Sequence, residues 1–495
     1  MSASTKPREG RPLDKTRHSS PRRSAHSPLR EEPRPGGAHP IRPRRAIPDD
    51  VTPNTSHRTP QPDSRNAAWS FWLDPRFVVI AFSGVLALCT FLYPANRFEN
   101  WSTTKYFNTH EFILTLAAIA ALCLGMTLST LLAPHQRTGQ IESDTKPNLI
   151  ENWYHGLGYI VILGYVAWVT IAAARGATLP LFAAVLHRDF GAISLLKKRL
   201  APVSGVTTLT QLSAIVSALG AYRFVRTRNI GKLWCFVLFA GLFRALFYAE
   251  RLALMEVLLP AALVLVLMST FTKRHHFIMN LIPVIGIAFL VVVFSASEYF
   301  RSWIYYSQTG EKSFVPWMLE RLLGYYATSF NNNSLFYSQL SGSPHPIYFT
   351  IPFVFDFPGA SIIFGAPSFG GSLPKDWWMS LLSWSSTPEF NNPGSYLIPL
   401  ADLGTVTGLV FWTVIGIPIG YVYRRARQHS DIALITYSVI FLGLLELPRF
   451  VYWTLGRFFP AAIALVFFMG HAATRDRRMR HVTSQNETAL RNSTS

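Results

Sequence analysis

The chain has 495 residues, of which 49% are hydrophobic and 15% are charged, and its formal net charge is +19. A soluble chain would carry about a quarter charged residues, so the composition argues against an ordinary soluble protein and favours an integral membrane protein. The basic residues form no nucleic-acid-reading motif, and the three cysteines lie in apolar runs without a disulfide or metal-binding pattern, so we expect no nucleic-acid partner and no cysteine site.

Residues 1–70 are rich in Pro, Ser, Arg and His and contain no long apolar run. Such a segment buries too little apolar surface to offset chain entropy, so we predict a disordered tail. Its excess of Lys and Arg over Asp and Glu predicts a cytoplasmic location. We favour a solvated tail without function over a tail that docks on anionic lipid or on a cytoplasmic partner.

Ten apolar runs follow, each near the roughly 20 residues that cross a bilayer, and they predict an all-α polytopic membrane protein with about ten transmembrane helices. The runs are 77–93, 112–133, 158–174, 203–222, 231–247, 252–271, 277–294, 396–423, 432–447 and 451–471. We therefore divide the chain into N-terminal transmembrane helices at 71–297, a large extracytoplasmic loop at 298–397, C-terminal transmembrane helices at 398–473 and a cytoplasmic tail at 474–495.

Basic clusters set the orientation, because they fall on alternate short connections as positive-inside bias requires. One external connection breaks this rule with a basic cluster at 188–199. Two interpretations of that cluster stay open. It binds an anionic ligand, or it is an interfacial amphipathic helix with Leu195, Leu196 and Leu200 facing lipid.

The sequence contains no dinucleotide-binding or Walker motif, no nucleophile elbow and no HExxH pair. The histidines are scattered, so we expect neither a metal nor a cofactor. What remains is a set of arginines at the external ends of the predicted spans: Arg244, Arg251, Arg301, Arg321 and Arg449. An ion pair explains any one of them, but several arginines on one membrane face favour a lipid pyrophosphate, which guanidinium forks bind bidentately.

The end of the predicted loop carries the second group of candidates. Glu389 and Asn391 precede the span at 396–423, and Asp402 lies near the external end of that span. A carboxylate at this depth is a functional candidate. Gly404 and Gly408, four residues apart, allow close helix packing.

The pattern Asn-Asn…Pro-Leu-Ala-Asp-Leu-Gly, followed by an apolar run that ends in Gly-Tyr-Val-Tyr-Arg-Arg, resembles the O-antigen polymerase (oligosaccharide repeat-unit polymerase) family. The segments Glu-Arg-Leu-Ala-Leu-Met and Tyr-Tyr-Ala-Thr-Ser-Phe-Asn-Asn-Asn resemble further parts of that family, so the likeness covers about 200–425. The family usually has Asp-Phe-Gly where this chain has Asp402, Leu403 and Gly404.

The resemblance implies a GT-C-like superfold and an inverting, metal-independent glycosyltransferase in the bacterial inner (plasma) membrane. Such an enzyme polymerises undecaprenyl-pyrophosphate-linked repeat units into a cell-surface polysaccharide. Its partners would be lipid-linked oligosaccharides and the bilayer, with a chain-length regulator as a further candidate. No cofactor is implied.

The resemblance and the positions of the residues together suggest their roles. The candidate bases are Asp402 and Glu389, which would deprotonate the acceptor hydroxyl. The candidate substrate-binding residues are Arg251 and Arg321 first, then Arg244, Arg301, Arg449, Tyr325 and Asn391. The arginines would stabilise the pyrophosphate leaving group without a metal.

Three alternative functions would each require sequence features that a polymerase does not. An O-antigen ligase-like glycan transferase would rely on an external histidine, for which only His345 is placed. A transporter or flippase of polysaccharide precursors would show internal repeats and paired broken helices, and we find none. A polyprenyl-monophosphate-sugar transferase would need paired acids in the first external loop, where Glu99 and Glu111 are widely separated.

Overall fold

The computed structural model describes residues 70–132, 147–203, 205–248, 250–268, 276–310, 312–342, 346–357, 359–428 and 430–493. The tail predicted at 1–70, up to residue 69, and His345 therefore lie outside the described residues. Within the described ranges the chain is helical, with no β-strand and one isolated bridge between Phe369 and Ser372. This confirms the all-α prediction. All described residues belong to one compact unit, Pro62–Ser495.

The N-terminal helices follow the predicted apolar runs. They are α1 (Pro75–Val78), which continues through a π-helical stretch (Val79–Gly84) into α2 (Val85–Leu92), then α3 (Thr109–Leu132), α4 (Pro147–Ala174), α5 (Leu179–Leu186), α6 (Ala192–Arg199), α7 (Val206–Leu209), α8 (Ser213–Thr227), α9 (Lys232–Phe247), α10 (Arg251–Met268) and α11 (His276–Arg301). Asp74 accepts a hydrogen bond from the Arg76 backbone and caps α1, which begins at Pro75.

The segment predicted as a large external loop is itself largely helical. It contains α12 (Trp303–Thr309), α13 (Phe314–Leu340), α14 (Pro352–Asp356), α15 (Ala360–Phe364) and α16 (Pro374–Ser385). Helix α13 is 27 residues long and buries most of its second half. Its three asparagines would disfavour an isolated helix, and they are accommodated because their amides bind other segments.

The C-terminal part contains α17 (Ile398–Leu403), α18 (Thr405–Arg427), α19 (Asp431–Glu446) and α20 (Phe459–Ser493). Gly404 separates α17 from α18 with a φ of +83°, a conformation that favours glycine. Helix α20 continues through most of the stretch predicted as a cytoplasmic tail at 474–495.

Six described helical segments are long and apolar enough to cross a membrane. They are Pro75–Leu92, Thr109–Ser129, Asn148–Ala174, Arg251–Met268, Met279–Arg301 and Thr405–Arg427. These match six of the ten predicted spans and indicate a multi-pass membrane protein. The other four predicted spans are helical but shorter. The run at 203–222 is interrupted by a 3-10 turn, α9 and α19 have 16 residues each, and the apolar part of α20 is limited to Phe459–Arg475.

Helices α3 and α18 approach each other most closely through glycines. A Cβ atom on Gly416 would clash with the carbonyl oxygen of Leu122, and one on Gly420 would clash with Met126. The two glycines are four residues apart, the spacing that lets membrane helices touch backbone to backbone. The sequence prediction placed such packing at Gly404 and Gly408. It is confirmed for Gly408, whose Cβ would lie 2.7 Å from the Leu400 backbone in α17.

We expect Gly416→Ala to lower the stability of the detergent-solubilised protein by about 1–3 kcal/mol, because the added methyl group forces α3 and α18 apart. Gly286→Ala is the matched control, since nothing lies within 4 Å of a Cβ at Gly286 in α11. Tryptophan fluorescence during heating measures both midpoints. Equal midpoints for the two variants would contradict the close packing.

Candidate functional site

Four of the five predicted arginines meet at one end of the helix bundle, although they come from separate elements. Arg251 is the first residue of α10, Arg301 the last of α11, and Arg321 lies in α13. Arg449 follows α19. We call these four residues the arginine cluster.

Glu298 is the central carboxylate of the arginine cluster. Its side chain is 0% exposed, and its Oε2 atom accepts a hydrogen bond from Arg321 Nε at 2.6 Å. Its Oε1 atom lies 3.1 Å from Arg251 Nη1. A fully buried carboxylate is tolerated only when it is paired, so Glu298 and its two arginines stabilise one another.

Tyr325 lies among the arginines. The guanidinium carbon of Arg251 is 4.8 Å from the centroid of the Tyr325 ring, and that of Arg449 is 5.6 Å away. Arg301 Nη2 donates to the Tyr325 hydroxyl at 3.5 Å. Burial raises the pKa of the Tyr325 phenol, but Arg251 and Arg301 outweigh burial and bring that pKa below its ordinary value. The local potential around Tyr325 is therefore positive.

Glu389 closes the arginine cluster on its accessible side. Its Oε1 atom lies 2.6 Å from Arg321 Nη1, while 53% of the Glu389 side chain is exposed. An ion pair with one exposed partner contributes little to stability and is easily exchanged. Glu389 is thus the carboxylate of this region that solvent, or a ligand, can reach most readily.

The arginine cluster carries an excess of positive charge that its neighbours do not neutralise. Four guanidinium groups face three carboxylates, those of Glu298, Glu389 and Glu446. Among the described residues, Arg301 has no carboxylate at salt-bridge distance. Buried Arg449 Nε also has no hydrogen-bond partner there. Unsatisfied donors next to surplus positive charge suit an anionic ligand.

Arg244, the fifth predicted arginine, belongs to a neighbouring network instead. It forms an ion pair with Glu250 and donates to Thr210 Oγ1 at 2.7 Å. Arg457 binds the same Glu250 at 2.7 Å and Glu256 at 2.8 Å. Arg457 was not among the predicted site residues, although its position beside the apolar run of α20 was a usable signal.

The two remaining predicted residues of the loop end lie in different surroundings. Asp402 Oδ2 accepts hydrogen bonds from the backbone nitrogen and the hydroxyl group of Thr350, both at 2.7 Å. The Asn391 carbonyl accepts from Trp378 Nε1 at 3.0 Å. Its neighbour Phe390 packs on the Tyr325 ring at 5.6 Å. Asn391 therefore adjoins the arginine cluster, while Asp402 holds the segment that contains Thr350.

The asparagine run at 331–333 positions this loop end. The first amide donates to the Thr104 carbonyl at 2.7 Å, and the second donates to the Phe390 carbonyl at 2.6 Å. The third accepts from the Leu397 backbone nitrogen at 2.9 Å. These bonds fix the residues on both sides of Asn391 against α13 and so fix the position of Glu389.

The basic cluster at 188–199 lies near the arginine cluster. Arg188 Nη1 donates to the Tyr299 hydroxyl at 2.8 Å, so the basic cluster contacts α11, whose last residue is Arg301. Burial, and next the positive charge of Arg301, lower the pKa of the Lys197 amine. Leu196 and Leu200 are buried in the protein core, whereas Leu195 is exposed. An interfacial helix with all three leucines facing lipid is therefore wrong, and the other interpretation, in which the basic cluster at 188–199 binds an anionic ligand, stays a prediction.

Comparisons of the chain with protein-family models, with curated proteins and with solved structures found no match.

Proposed function

We propose that this chain is a membrane glycosyltransferase that polymerises undecaprenyl-pyrophosphate-linked oligosaccharide repeat units into a cell-surface polysaccharide. The observation that carries the proposal is the arginine cluster at one end of a multi-pass helix bundle. Three of its guanidinium groups, those of Arg251, Arg301 and Arg449, surround Tyr325. The fourth, that of Arg321, joins them through Glu298. A dianionic or more highly charged diphosphate is the ligand that such a cluster suits best. The motif resemblance to O-antigen polymerases supports the same substrate class.

The proposal includes an orientation and a compartment. The arginine cluster would face the non-cytoplasmic side of a bacterial inner membrane, because the short basic connections lie at the other ends of the helices. The proposal also includes ten membrane crossings and a GT-C-like superfold. The four shorter helical segments would complete the ten crossings inside the bundle.

In the proposed reaction, a hydroxyl group of the acceptor sugar attacks the anomeric carbon of the donor sugar. The bond between that carbon and the phosphate oxygen breaks with inversion, and undecaprenyl pyrophosphate leaves. Arg251, Arg301 and Arg449 stabilise the charge that develops on the diphosphate. Tyr325, at the centre of these arginines, fixes their positions.

The hydroxyl proton passes to a carboxylate, and we favour Glu389 over Asp402 as that base. Glu389 lies at the arginine cluster and is half exposed, so an acceptor can reach it. Asp402 Oδ2 already accepts two hydrogen bonds from Thr350. Glu298 is fully buried and positions Arg251 and Arg321 instead.

The test uses the full chain reconstituted in lipid nanodiscs, with lipid-linked oligosaccharides extracted from a strain that lacks the protein. We expect glycans to lengthen by whole repeat units and undecaprenyl pyrophosphate to be released, with and without EDTA. A single transfer of the glycan to another acceptor would contradict polymerisation and indicate a ligase-like transferase instead. Movement of glycan across the membrane without a new glycosidic bond would indicate a transporter or flippase.

A further inference from the structure

A second basic site lies where α18 ends and α1 begins. A cleft of about 290 Å³ is lined there by Arg76, Arg424, Arg427 and Tyr423, with Met126 of α3 behind them. The arginine cluster packs around α13, which meets the opposite end of α18 through Tyr337 and Thr405. The cleft is therefore separate from the proposed glycosyl-transfer site.

The charges of this cleft are fixed in place by local contacts. Arg76 binds the Asp74 carboxylate with both Nε, at 3.0 Å, and Nη2, at 2.6 Å. The Arg427 guanidinium lies 6.0 Å from the centre of the Tyr423 ring. Arg76 and Arg427 outnumber the Asp74 carboxylate that binds Arg76, so these residues leave the cleft net positive without Arg424 being counted. A net positive cleft suits a phosphate group.

The surroundings of the cleft are apolar. Arg76 and Arg427 lie at the ends of the helical segments Pro75–Leu92 and Thr405–Arg427, both long and apolar enough to span a membrane. Phe77 and Ile80 on the first segment and Tyr421 on the second are exposed large hydrophobic residues. A positive cleft at the ends of two spans, beside exposed apolar side chains, matches a ligand with a phosphate head and acyl chains.

We propose that this cleft binds the headgroup of an anionic phospholipid in the membrane leaflet on the basic side of the protein. Arg76, Arg424 and Arg427 contact the phosphate, and the exposed side chains of α1 and the end of α18 contact the acyl chains. Bound lipid would tie the start of the first span to the end of α18.

The experiment measures lipid binding to the detergent-purified full chain by native mass spectrometry. Phosphatidylglycerol is compared with phosphatidylcholine of identical acyl chains and with inorganic phosphate. We expect phosphatidylglycerol to bind more tightly than phosphatidylcholine, and Arg424→Gln/Arg427→Gln to weaken that binding by about tenfold or more, as expected for lost charged hydrogen bonds. Arg427→Gln alone is the fallback if the double variant does not fold.

Arg228→Gln is the matched control, because Arg228 is an exposed arginine at the end of α8 that does not line the cleft. It should leave phosphatidylglycerol affinity unchanged. Equal affinity for the two phospholipids, or equal loss in the control and the double variant, would overturn the proposal. Binding of inorganic phosphate as tight as that of phosphatidylglycerol would also overturn it, in favour of a free-anion site.

Discussion

Replacing Arg301 by Gln is expected to lower the rate of glycosyl transfer by roughly 100-fold or more, the usual effect of removing one charge-stabilising donor from a transition state. The fold should survive, because Arg301 has no carboxylate at salt-bridge distance among the described residues. The buried Glu298 carboxylate keeps its two ion-pair partners, Arg251 and Arg321, when Arg301 is removed. Release of undecaprenyl pyrophosphate in nanodiscs measures the rate, and the thermal midpoint monitors the fold.

Substitution of Arg301 tests the catalytic role of the arginine cluster more directly than substitution of Arg321 does. Arg321→Ala would remove one of the two ion-pair partners of the fully buried Glu298 and so destabilise the protein. A loss of activity in that variant could therefore come from either catalysis or folding. Arg97→Gln is the matched control, since Arg97 is exposed on the turn Ala95–Trp101. Wild-type rates in Arg301→Gln, or an equal loss in Arg97→Gln, would contradict a phosphate-stabilising role.

Glu298→Gln is expected to destabilise the protein by about 3–5 kcal/mol, the cost typical of breaking a buried ion pair from one side. Arg251 would lose the carboxylate that lies 3.1 Å from it, and Arg321 would keep only the half-exposed Glu389. Two buried guanidinium groups would then be poorly compensated. Heating in detergent, followed by tryptophan fluorescence, should show a large fall in the midpoint.

Glu320→Gln provides the comparison for the same substitution. Glu320 lies in α13 and pairs with Lys312, whose side chain is 49% exposed, so its loss should cost at most about 1 kcal/mol. Similar midpoints for Glu298→Gln and Glu320→Gln would show that Glu298 does not hold the arginine cluster together.

The sequence was sufficient to find the arginines but not to find their partners. Charged residues near apolar runs are few, so Arg251, Arg301, Arg321 and Arg449 were visible by position alone. Pairs between residues that are close in sequence can be expected from the sequence, and Arg449 pairs with Glu446, three residues earlier, at 2.7 Å. Pairing across helices depends on how the helices pack, which no local pattern specifies.

Arg321 illustrates that limit. Its neighbour in sequence is Glu320, but on a helix adjacent residues point in different directions. Glu320 pairs with Lys312, while Arg321 reaches back to Glu298 in α11 and forward to Glu389. Glu298 and Arg321 are 23 positions apart in the sequence, and only the tertiary fold brings them together.

The apolar runs were sufficient to predict the long apolar helices, but hydropathy gave no sign of a helix within the polar stretch at 314–340. Helix α13 was assigned to an external loop because Arg321, Glu320 and the asparagine run at 331–333 lower its hydropathy. Arg321 and the three asparagines are nevertheless buried against other segments of the protein. Hydropathy measures affinity for lipid, so it cannot report a helix whose surroundings are protein.

The asparagine run also determines the order in which its contacts can form while the chain is being synthesised. Its first member is held by Thr104, 227 residues earlier, whereas its third is held by Leu397, 64 residues later. A nascent chain that has grown only through α13 can therefore form the contact of the first asparagine but not that of the third. The turn that carries Glu389 would be fastened only once residues 390–397 have been synthesised, because Asn332 holds the Phe390 carbonyl and Asn333 holds the Leu397 backbone nitrogen. A truncated product that ends before residue 390 would therefore reach quality control without this turn held against α13.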